Sequence, residues 1–407
     1  MAHPLDSAVW WHVYPLGACD APIRDRRPDD DGHRLRRLGA WVDYAADLGA
    51  TGLLLGPIFD SVAHGYDTLD HYRIDPRLGD DQDFAELVEA CRARDLDVIL
   101  DGVFNHVARE HRFVTDGGPV ARDDDGRAIG WEGDMTLAEL DHDDPATLDF
   151  VVDVMEHWLE RGAAGWRLDV AYAVPAEFWA AAVARVRERF PDAVFLGEMI
   201  HGDYADFAQR SELDTMTQYE LWKAIWSSIK DANFFELSHA LGRHQEFSSR
   251  ARMQTFVGNH DVDRIATTVG ATGSALAHAV VLTLPGLPSI YAGDERGVEG
   301  AKGEGFGADD ALRPPLPASP LDAGQEGMAL RDTVAAFVWL RRNNPWWATA
   351  DLEVVDVANE RLVYRLHSGE RVTEVALTLG DESSVRVTVD GKVVFAQAWA
   401  GGRLPQR

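Results

Sequence analysis

The chain has 407 residues, of which 46% are hydrophobic and 26% are charged, and its formal net charge is −29 at pH 7. This balance of hydrophobic and charged residues is typical of a folded, water-soluble protein and excludes an intrinsically disordered chain. The length allows one large and one small domain. The acidic surface disfavours nucleic acid and anionic lipid as partners and suits a neutral ligand.

The N-terminus, MAHPLDSAVWW, lacks the basic stretch and apolar core of a secretory signal, and we find no apolar run that predicts a membrane span. We therefore expect a cytoplasmic protein without a membrane partner. Cys19 and Cys91 are too few for a disulfide framework, and we expect both to be inert packing residues.

Eight short runs rich in branched and aromatic residues predict strands. In chain order they are WWHVYPL (10–16), TGLLLGPI (51–58), LDVILDGVF (96–104), GWRLDVA (165–171), AVFLGEMI (193–200), TMTQYEL (215–221), MQTFVGNHD (253–261) and LPSIYAGDE (287–295). Amphipathic stretches between them predict helices, as where Phe84, Leu87, Val88 and Cys91 share one helical face. Because parallel strands need helical crossovers, this α/β alternation predicts a (β/α)8 TIM barrel.

The barrel is predicted to carry two additions. The predicted units are a barrel over 1–104 and 146–347, a short inserted subdomain over 105–145 after strand three, and a small C-terminal antiparallel β domain over 348–407. We expect Trp346 and Trp347 to seal the joint between barrel and β domain. The Gly- and Pro-rich segment 301–320 is longer than most connections, which favours an ordered loop or lid with a functional role over a plain linker.

Charged and polar residues lie where the predicted strands end. Strand three ends in Asp101, Asn105 and His106, strand four in Arg167 and Asp169, strand five in Glu198, strand seven in Asn259, His260 and Asp261, and strand eight in Asp294 and Glu295. Active sites of TIM barrels form at these ends. Converging carboxylates repel one another, so their accumulation favours a function, although Arg167 and Asp169 alone are also compatible with a structural ion pair.

The motifs DGVFNH, GWRLDVA, GEMI and FVGNHD follow one another on predicted strands three, four, five and seven. Together with GYDTLDHYRIDPRLG (65–79), LAELDHDDP (137–145) and GLPSIYAGDERG (286–297), they resemble the α-amylase family of retaining α-glucan-active glycoside hydrolases over most of residues 10–345. GYDT, GWRLDVA and the NHD motif followed by Arg264 are most similar to the cyclomaltodextrinase and neopullulanase group.

The resemblance implies that Asp169 is the nucleophile, Glu198 the general acid/base, and Asp261 a third carboxylate that stabilises the transition state. A retaining glycosidase needs one ionised and one protonated carboxyl group about 5–5.5 Å apart. We expect Arg167 to keep Asp169 ionised, so that Glu198 carries the proton. The other implied roles are sugar stacking by Tyr66, sugar hydroxyl contacts by His106 and His260, orientation of Arg167 by Asp101, and support by Asn105.

Asp67 and Arg264 match a pair that, in small-oligosaccharide members of the family, lies across the non-reducing side of the site. A bidentate ion pair there would narrow the cleft to a pocket, which predicts short substrates. The alternative is a structural ion pair away from the substrate.

The sequence departs from the family pattern at the leaving-group side. Tyr172 and Ala173 stand where many amylases have Lys-His and neopullulanase-like members have Asn-Glu, and Ile200 stands where a tryptophan often follows the acid/base. Trp131, in the inserted segment, suits glucan stacking and packing equally. The N-terminal β domain of the cyclomaltodextrinase group is not found before Trp10, so we expect no dimerisation through such a domain.

The leading hypothesis is a cytoplasmic retaining hydrolase of α-1,4 bonds in malto-oligosaccharides or cyclic dextrins. The alternative hypotheses are a transglycosylase or isomerase of the same fold, related to trehalose or sucrose, and a non-catalytic amylase-like binding protein. No cofactor is expected in catalysis, since HxH and HExxH metal spacings are absent. The resemblance allows a structural calcium ion near Asn105 and the inserted segment.

Overall fold

A computed structural model describes residues 4–24, 32–305 and 307–400. The strands are β1 (Trp10–Val13), β2 (Gly52–Leu55), β3 (Phe59–Ser61), β4 (Thr68–Ile74), β5 (Asp97–Gly102), β6 (His106–Ala108), β7 (Leu137–Glu139), β8 (Gly165–Leu168), β9 (Val194–Gly197), β10 (Thr215–Thr217), β11 (Arg252–Thr255), β12 (Leu287–Tyr291), β13 (Asp351–Ala358), β14 (Arg361–Ser368), β15 (Arg371–Thr378), β16 (Glu382–Val389) and β17 (Lys392–Ala400).

The α-helices alternate with the barrel strands and cover their outer face. They are α1 (Pro15–Ala18), α2 (Leu35–Gly39), α3 (Val42–Leu48), α4 (Asp81–Arg92), α5 (Arg112–Thr115), α6 (Pro145–Glu160), α7 (Ala176–Arg189), α8 (Tyr204–Ser211), α9 (Tyr219–Lys230), α10 (Phe235–Ser248), α11 (Ile265–Thr283) and α12 (Met328–Asn343). In α4, the predicted helical face is buried, and the side chain of Asp80 caps the first turn by accepting from two backbone N–H groups.

Among the described residues, eight parallel strands close a barrel in the order β1-β2-β5-β8-β9-β10-β11-β12, with β12 paired to β1. This confirms the predicted (β/α)8 barrel. Several predicted strands were too long at their carboxyl ends: β10 ends at Thr217 and β12 at Tyr291. The polar residues beyond these points leave the strand ladder and form loops and turns.

Alternation along the strands sorts the barrel interior into layers. The lowest layer is apolar and includes Trp10, Leu54, Ile99, Leu196 and Leu287. The next positions towards the carboxyl ends carry polar side chains, namely His12, Asp101, Arg167, Glu198, Gln254 and Ser289. Asp101 and Arg167 are register partners in the β5–β8 pairing, which places their side chains side by side.

Two smaller units flank the barrel. Between β5 and α6 the chain forms the antiparallel pair β6–β7 over its own apolar cluster, while β13–β17 form a five-stranded antiparallel sheet. The indole N–H of Trp347 donates to Thr373 Oγ1 of β15 at 2.9 Å, and the Arg371 guanidinium lies 4.8 Å from the centre of the Trp346 ring. The two tryptophans therefore join the barrel to the sheet, as predicted.

Helix α11 is long and apolar enough to cross a membrane by length and composition, and the sequence analysis was wrong to find no such run. However, 72% of its most apolar window is buried inside the protein, and Gly270, with φ of 69°, interrupts the helix. The buried Arg341 donates to the carbonyls of Leu284, at 2.7 Å, and Gly286 just after α11. This segment is therefore packed as a core helix, and a side chain donates to the carbonyl groups at its carboxyl end.

Burial shifts the titration of core groups towards their neutral forms. It raises the pKa of the Cys19 and Cys91 thiols to about 12, so both are inert, as predicted. It lowers the pKa of His71, His244 and His278 to about 4. The unfolded chain therefore binds more protons than the folded chain between about pH 4 and 6.5, and the free energy of unfolding falls as pH falls through that window.

We expect His278→Leu to make the fold more resistant to acid. The His278 imidazole is buried in α11, where Nδ1 lies 2.8 Å from the Ser274 carbonyl oxygen and Nε2 has no partner. A pKa lowered from 6.5 to about 4 corresponds to about 3 kcal/mol lost on acidification. Urea unfolding at about pH 7 and about pH 4.5 should show a smaller loss in this variant than in the wild type. The exposed-histidine control His239→Leu should lose as much as the wild type; an equal loss in His278→Leu would contradict the assignment.

Candidate active site

Arg167 is the centre of a buried carboxylate cluster at the carboxyl ends of β5, β8 and β9. Its Nη1 donates to both oxygens of Asp101, at 2.7 and 2.6 Å, and to Asp169 Oδ1 at 3.1 Å. Its Nη2 lies 2.7 Å from Glu198 Oε1. The structure thus brings the predicted nucleophile, acid/base and their two supporting residues together around one guanidinium group.

A strained turn places Glu198 beside Asp169. Val170, the residue after Asp169, has φ of 40° and ψ of 42°, a left-handed conformation that costs a β-branched residue about 1–3 kcal/mol. In this conformation its N–H donates to Glu198 Oε2 at 3.0 Å, and the Tyr219 hydroxyl donates to Oε1 at 3.2 Å. Asn259 Nδ2 donates in turn to the Tyr219 hydroxyl at 2.7 Å. Glu198 is therefore held from two sides.

Asp261 extends the cluster towards the rim. Its N–H donates to Asn259 Oδ1 at 3.0 Å, and its Oδ2 lies 3.1 Å from His260 Nε2. Its Oδ1 accepts from Arg313 Nη2 at 2.9 Å, and Arg313 Nε also donates to the His260 carbonyl at 2.9 Å. The third carboxylate is thus fixed by a cation that the sequence analysis did not identify.

Aromatic side chains form one wall of the site. The Tyr66 hydroxyl donates to Asp101 Oδ2 at 3.1 Å and contacts His260 Nε2, and the Tyr66 and His260 rings stack with centroids 5.3 Å apart. His106 Nε2 lies 3.0 Å from the Tyr66 carbonyl oxygen, and its ring stacks on Trp131 with centroids 6.0 Å apart. Trp131 of the inserted subdomain therefore reaches this wall.

The cluster holds more negative charge than its one cation balances. Burial, opposed by Arg167, raises the pKa of Asp101 to about 6. Burial also raises the pKa of Asp169 well above its usual range, and the nearby carboxylates act in the same direction. Arg167 acts on Asp169 in the opposite direction, but its guanidinium is shared among three carboxylates and its shortest contacts go to the other two, so the expectation that it keeps Asp169 ionised stays a prediction. The cluster therefore titrates as a unit.

The structure does not pair Asp67 with Arg264, so that prediction was wrong in both of its forms. Asp67 accepts from the backbone N–H groups of Ala63, at 2.8 Å, and Gly65, at 3.1 Å, within its own loop. Arg264 is buried and its Nη1 donates to Asp294 Oδ1 at 2.9 Å. The partners of each side chain therefore lie in its own surroundings, and the described part of the chain has no ion pair between the two residues.

The described part of the predicted loop, residues 301–305 and 307–320, contributes to the site. Lys302 Nζ donates to the Asp261 carbonyl at 3.1 Å and lies 3.0 Å from Asp309 Oδ1, while Arg313 contacts both Asp261 and Asp309. Sequence reasoning missed Lys302, Arg313 and Tyr219. Lys302 and Arg313 could have been identified, because they are two cations of a very acidic chain in a segment that was predicted to be functional.

Tyr172 and Ile200 lie at the entrance. The Tyr172 ring is half-buried, with its centroid 6.4 Å from that of His201, and burial together with the charges of Glu132, Glu198 and Asp169 raises the pKa of its hydroxyl. Ile200 is exposed. An aromatic hydroxyl and an exposed aliphatic side chain therefore stand at two of the positions where the sequence departs from the family pattern.

Asn105 is directed towards a site histidine. Its Nδ2 lies 3.1 Å from His106 Nδ1, and its carbonyl accepts from the N–H of Leu140 at 3.0 Å. Within the described part of the chain, His33, Asp80 and Asp83 form a group with metal-like spacing, but Arg36 Nε already donates to Asp83 at 3.0 Å. The structural calcium ion that the resemblance allows stays a prediction.

The α-amylase catalytic domain model matches residues 28–123 and 132–351. The chain belongs to the α-amylase family. The matched ranges include the carboxylate cluster, Tyr66 and the loop that carries Arg313. The residues that form the site therefore lie within the part of the chain that matches the family.

Among individual family members, a maltogenic α-amylase of Bacillus acidopullulyticus is 27% identical over 92% of this chain and 70% of its own. Neopullulanase 2 of Thermoactinomyces vulgaris is 30% identical over 68% of this chain and 52% of its own. The cyclic α-maltosyl-(1→6)-maltose hydrolase of Arthrobacter globiformis superposes with a TM-score of 0.81 at 23% identity, covering 98% of this chain and 99% of that one. The chain thus spans about half to 70% of these two sequence relatives and has the fold of a family hydrolase of its own length.

Proposed function

We propose that this family member hydrolyses α-1,4-glucosidic bonds in malto-oligosaccharides or cyclic dextrins, with retention, through a covalent glycosyl-enzyme. The observation that carries the proposal is the placement of Asp169 and Glu198 on the two terminal nitrogens of one guanidinium. Two carboxyl groups that share one guanidinium suit the narrow spacing of about 5–5.5 Å that retention requires, at which the nucleophile attacks the anomeric carbon directly, with no water molecule between the two.

The proposed steps use groups already described. Asp169 attacks the anomeric carbon while Glu198 gives its proton to the leaving oxygen, and Glu198 then takes a proton from the water that releases the sugar. Asp261, held by Arg313, and His260 face the sugar hydroxyls beside the reaction centre. Tyr66 supplies an apolar ring face for the sugar.

Product analysis tests the proposal. Maltotriose, a cyclic dextrin, cyclic α-maltosyl-(1→6)-maltose, soluble starch and pullulan are incubated with the protein, and the products are separated by chromatography. Short or cyclic substrates should be cleaved with the highest kcat/KM, and proton NMR should detect α-anomers first. The appearance of β-anomers first would contradict retention, and no cleavage of any of the five would contradict the proposed activity.

A transglycosylase is the second candidate, favoured by the half-buried Tyr172, whose hydroxyl feels the charge of Glu198. An aromatic face beside the acid/base suits a second sugar as acceptor as well as it suits a leaving group. High concentrations of maltotriose would then yield products longer than the substrate. Release of glucose and maltose alone at every concentration would assign the site to hydrolysis.

We propose that catalysis needs no metal, since carboxylates, histidines and arginines supply the proton transfer and charge stabilisation. Activity should be unchanged after dialysis against EDTA. A fall in activity that calcium restores would contradict this, and a large fall in melting temperature alone would point to a structural ion.

The raised pKa values predict an acid limit to activity. Asp169 attacks only when ionised, and protonation of Asp101, whose pKa burial raises to about 6, removes the partner that orients Arg167. We therefore expect kcat/KM to fall as pH drops below about 6, well above the pH at which an isolated aspartate titrates, about 3.9. The measurement is kcat/KM on maltotriose across this range. A profile that stays flat down to about pH 4 would contradict the raised pKa values.

A further inference from the structure

A small cavity lies directly beneath the carboxylate cluster, inside the barrel. Its volume is about 10 Å³, and it is bordered by Arg167 and Glu198 above, by Leu54 of the apolar layer, and by His12, Gln254 and His260. A single water molecule needs roughly 10–15 Å³ and two to four polar partners. The cavity therefore has the size of one water site.

Three buried polar atoms of the bordering residues have no partner within the described chain. They are His12 Nε2, Gln254 Oε1 and His260 Nδ1. Each belongs to a side chain that is more than nine-tenths buried. A buried polar atom without a hydrogen-bond partner is unfavourable, so three in the residues around one cavity are an arrangement that a ligand would relieve.

The neighbours of His260 decide which of its nitrogens carries the proton. Burial lowers the pKa of His260 well below its usual range, so the ring is neutral. Its Nε2 lies 3.1 Å from an Asp261 carboxylate oxygen and contacts the Tyr66 hydroxyl, whose own proton goes to Asp101. Both neighbours accept, so Nε2 carries the proton and Nδ1 is left as an acceptor.

The other two atoms complete the pattern. Gln254 uses its Nε2 to donate to Ser289 Oγ at 2.8 Å, which leaves its Oε1 as a second acceptor. The neutral His12 ring meets the His260 ring edge-on, with centroids 5.2 Å apart, and its unpartnered Nε2 can supply an N–H donor. A water molecule in the cavity can donate its two protons to the two acceptors and accept the donor's proton with one of its two lone pairs.

We propose that the cavity is a specific binding site for one water molecule, which is bound by His12, Gln254 and His260. The bound water fixes the His260 ring so that its Nε2–H is directed at Asp261. His12 and Gln254 are then positioning residues, since they act on the reaction centre only through the water and His260. An anion suits the cavity less well, because the nearby guanidinium is already shared by three carboxylates.

Crystallography of the full chain tests the site without reference to catalysis. At a resolution that shows ordered water, we expect one density peak within hydrogen-bond distance of all three atoms. Crystals soaked in bromide should show no anomalous peak there. An empty cavity would overturn the proposal, and a bromide peak would replace the water with an anion.

Kinetics test the positioning role, and this test rests on the proposed function. His12→Leu is expected to lower kcat by about 10- to 100-fold with a smaller change in KM, because a misplaced ring weakens contacts made in the transition state. His12→Gln keeps an N–H donor and should restore most of the activity. His278→Leu is the matched control, since it also removes a buried histidine with an unpartnered Nε2 but does not border the cavity.

Gln254→Leu provides a second variant if His12→Leu does not fold. Wild-type kcat in folded His12→Leu or Gln254→Leu, or an equal loss in His278→Leu, would overturn the positioning role. If the wild-type protein cleaves no glucan at all, the proposed function fails, while the crystallographic result still decides whether the water site exists.

Discussion

Glu198→Gln is expected to lower kcat on maltotriose by about 10²–10⁴-fold or more, because it removes the proton that the leaving oxygen needs. Asp169→Asn should lose at least as much, since no glycosyl-enzyme forms without the nucleophile. Both variants should fold, because each replaces a carboxylate by an amide of the same shape and leaves Asp101 paired with Arg167 at 2.6 Å. Steady-state kinetics with circular dichroism of each variant gives the measurement.

A substrate with a better leaving group separates the two roles. Fluoride leaves without protonation, so Glu198→Gln should retain much of the first step on α-maltosyl fluoride, whereas Asp169→Asn should not. The control is Glu295→Gln, a buried glutamate at a strand end that bonds Tyr44 and Gly293 outside the cluster. Its folded fraction should keep wild-type kcat. Equal activity of both cluster variants on the fluoride, or more than about a tenth of wild-type kcat on maltotriose in Glu198→Gln, would refute the assignment.

The barrel and the centre of the site were predictable from the sequence because both depend on local patterns. Alternation fixes which residues of a strand face inwards, so Asp101 and Arg167 had to meet once their strands paired. The motifs then placed Asp169 and Glu198 at the ends of predicted strands, and in the structure each lies one position beyond its strand. The extent of the strands was predicted wrongly. Polar residues at a strand end fit the strand pattern, and only the structure shows the turn that ends the strand, such as the one at Val170.

The partners of long charged side chains were not predictable, because they depend on where a distant loop folds. Arg264 follows the NHD motif, but the loop after β12 brings Asp294 to it. Arg313 reaches Asp261 from a position 52 residues further along the chain. The sequence suggested two carboxylate partners for Arg167, Asp101 and Asp169, and the fold adds Glu198 as a third.

Arg264→Ala is expected to destabilise the protein by about 3–5 kcal/mol, because it breaks a buried ion pair. The Arg264 guanidinium donates to Asp294 Oδ1 at 2.9 Å and to the carbonyls of Ala292, at 2.7 Å, and Leu312, at 3.0 Å. Its loss leaves the fully buried Asp294 without a cation. Urea unfolding near pH 7 measures the effect. Arg365→Ala, which removes a half-exposed pair with Glu374 on the β domain, should cost no more than about 1 kcal/mol.

The same variant decides whether Arg264 limits substrate size. Its side chain is 2% exposed and faces Asp294 rather than Asp67, so it offers no surface to a glucan chain. In the folded fraction of Arg264→Ala, the ratio of kcat/KM on starch to that on maltotriose should therefore equal the wild-type ratio. The double variant Arg264→Met, Asp294→Asn should recover part of the lost stability, since it removes the unpaired buried charge as well. If a variant of Arg264 with unchanged stability has a higher ratio of kcat/KM on starch to kcat/KM on maltotriose, Arg264 contacts the substrate after all. Only a residue that borders the cleft can change the size of chain that enters it without weakening the fold.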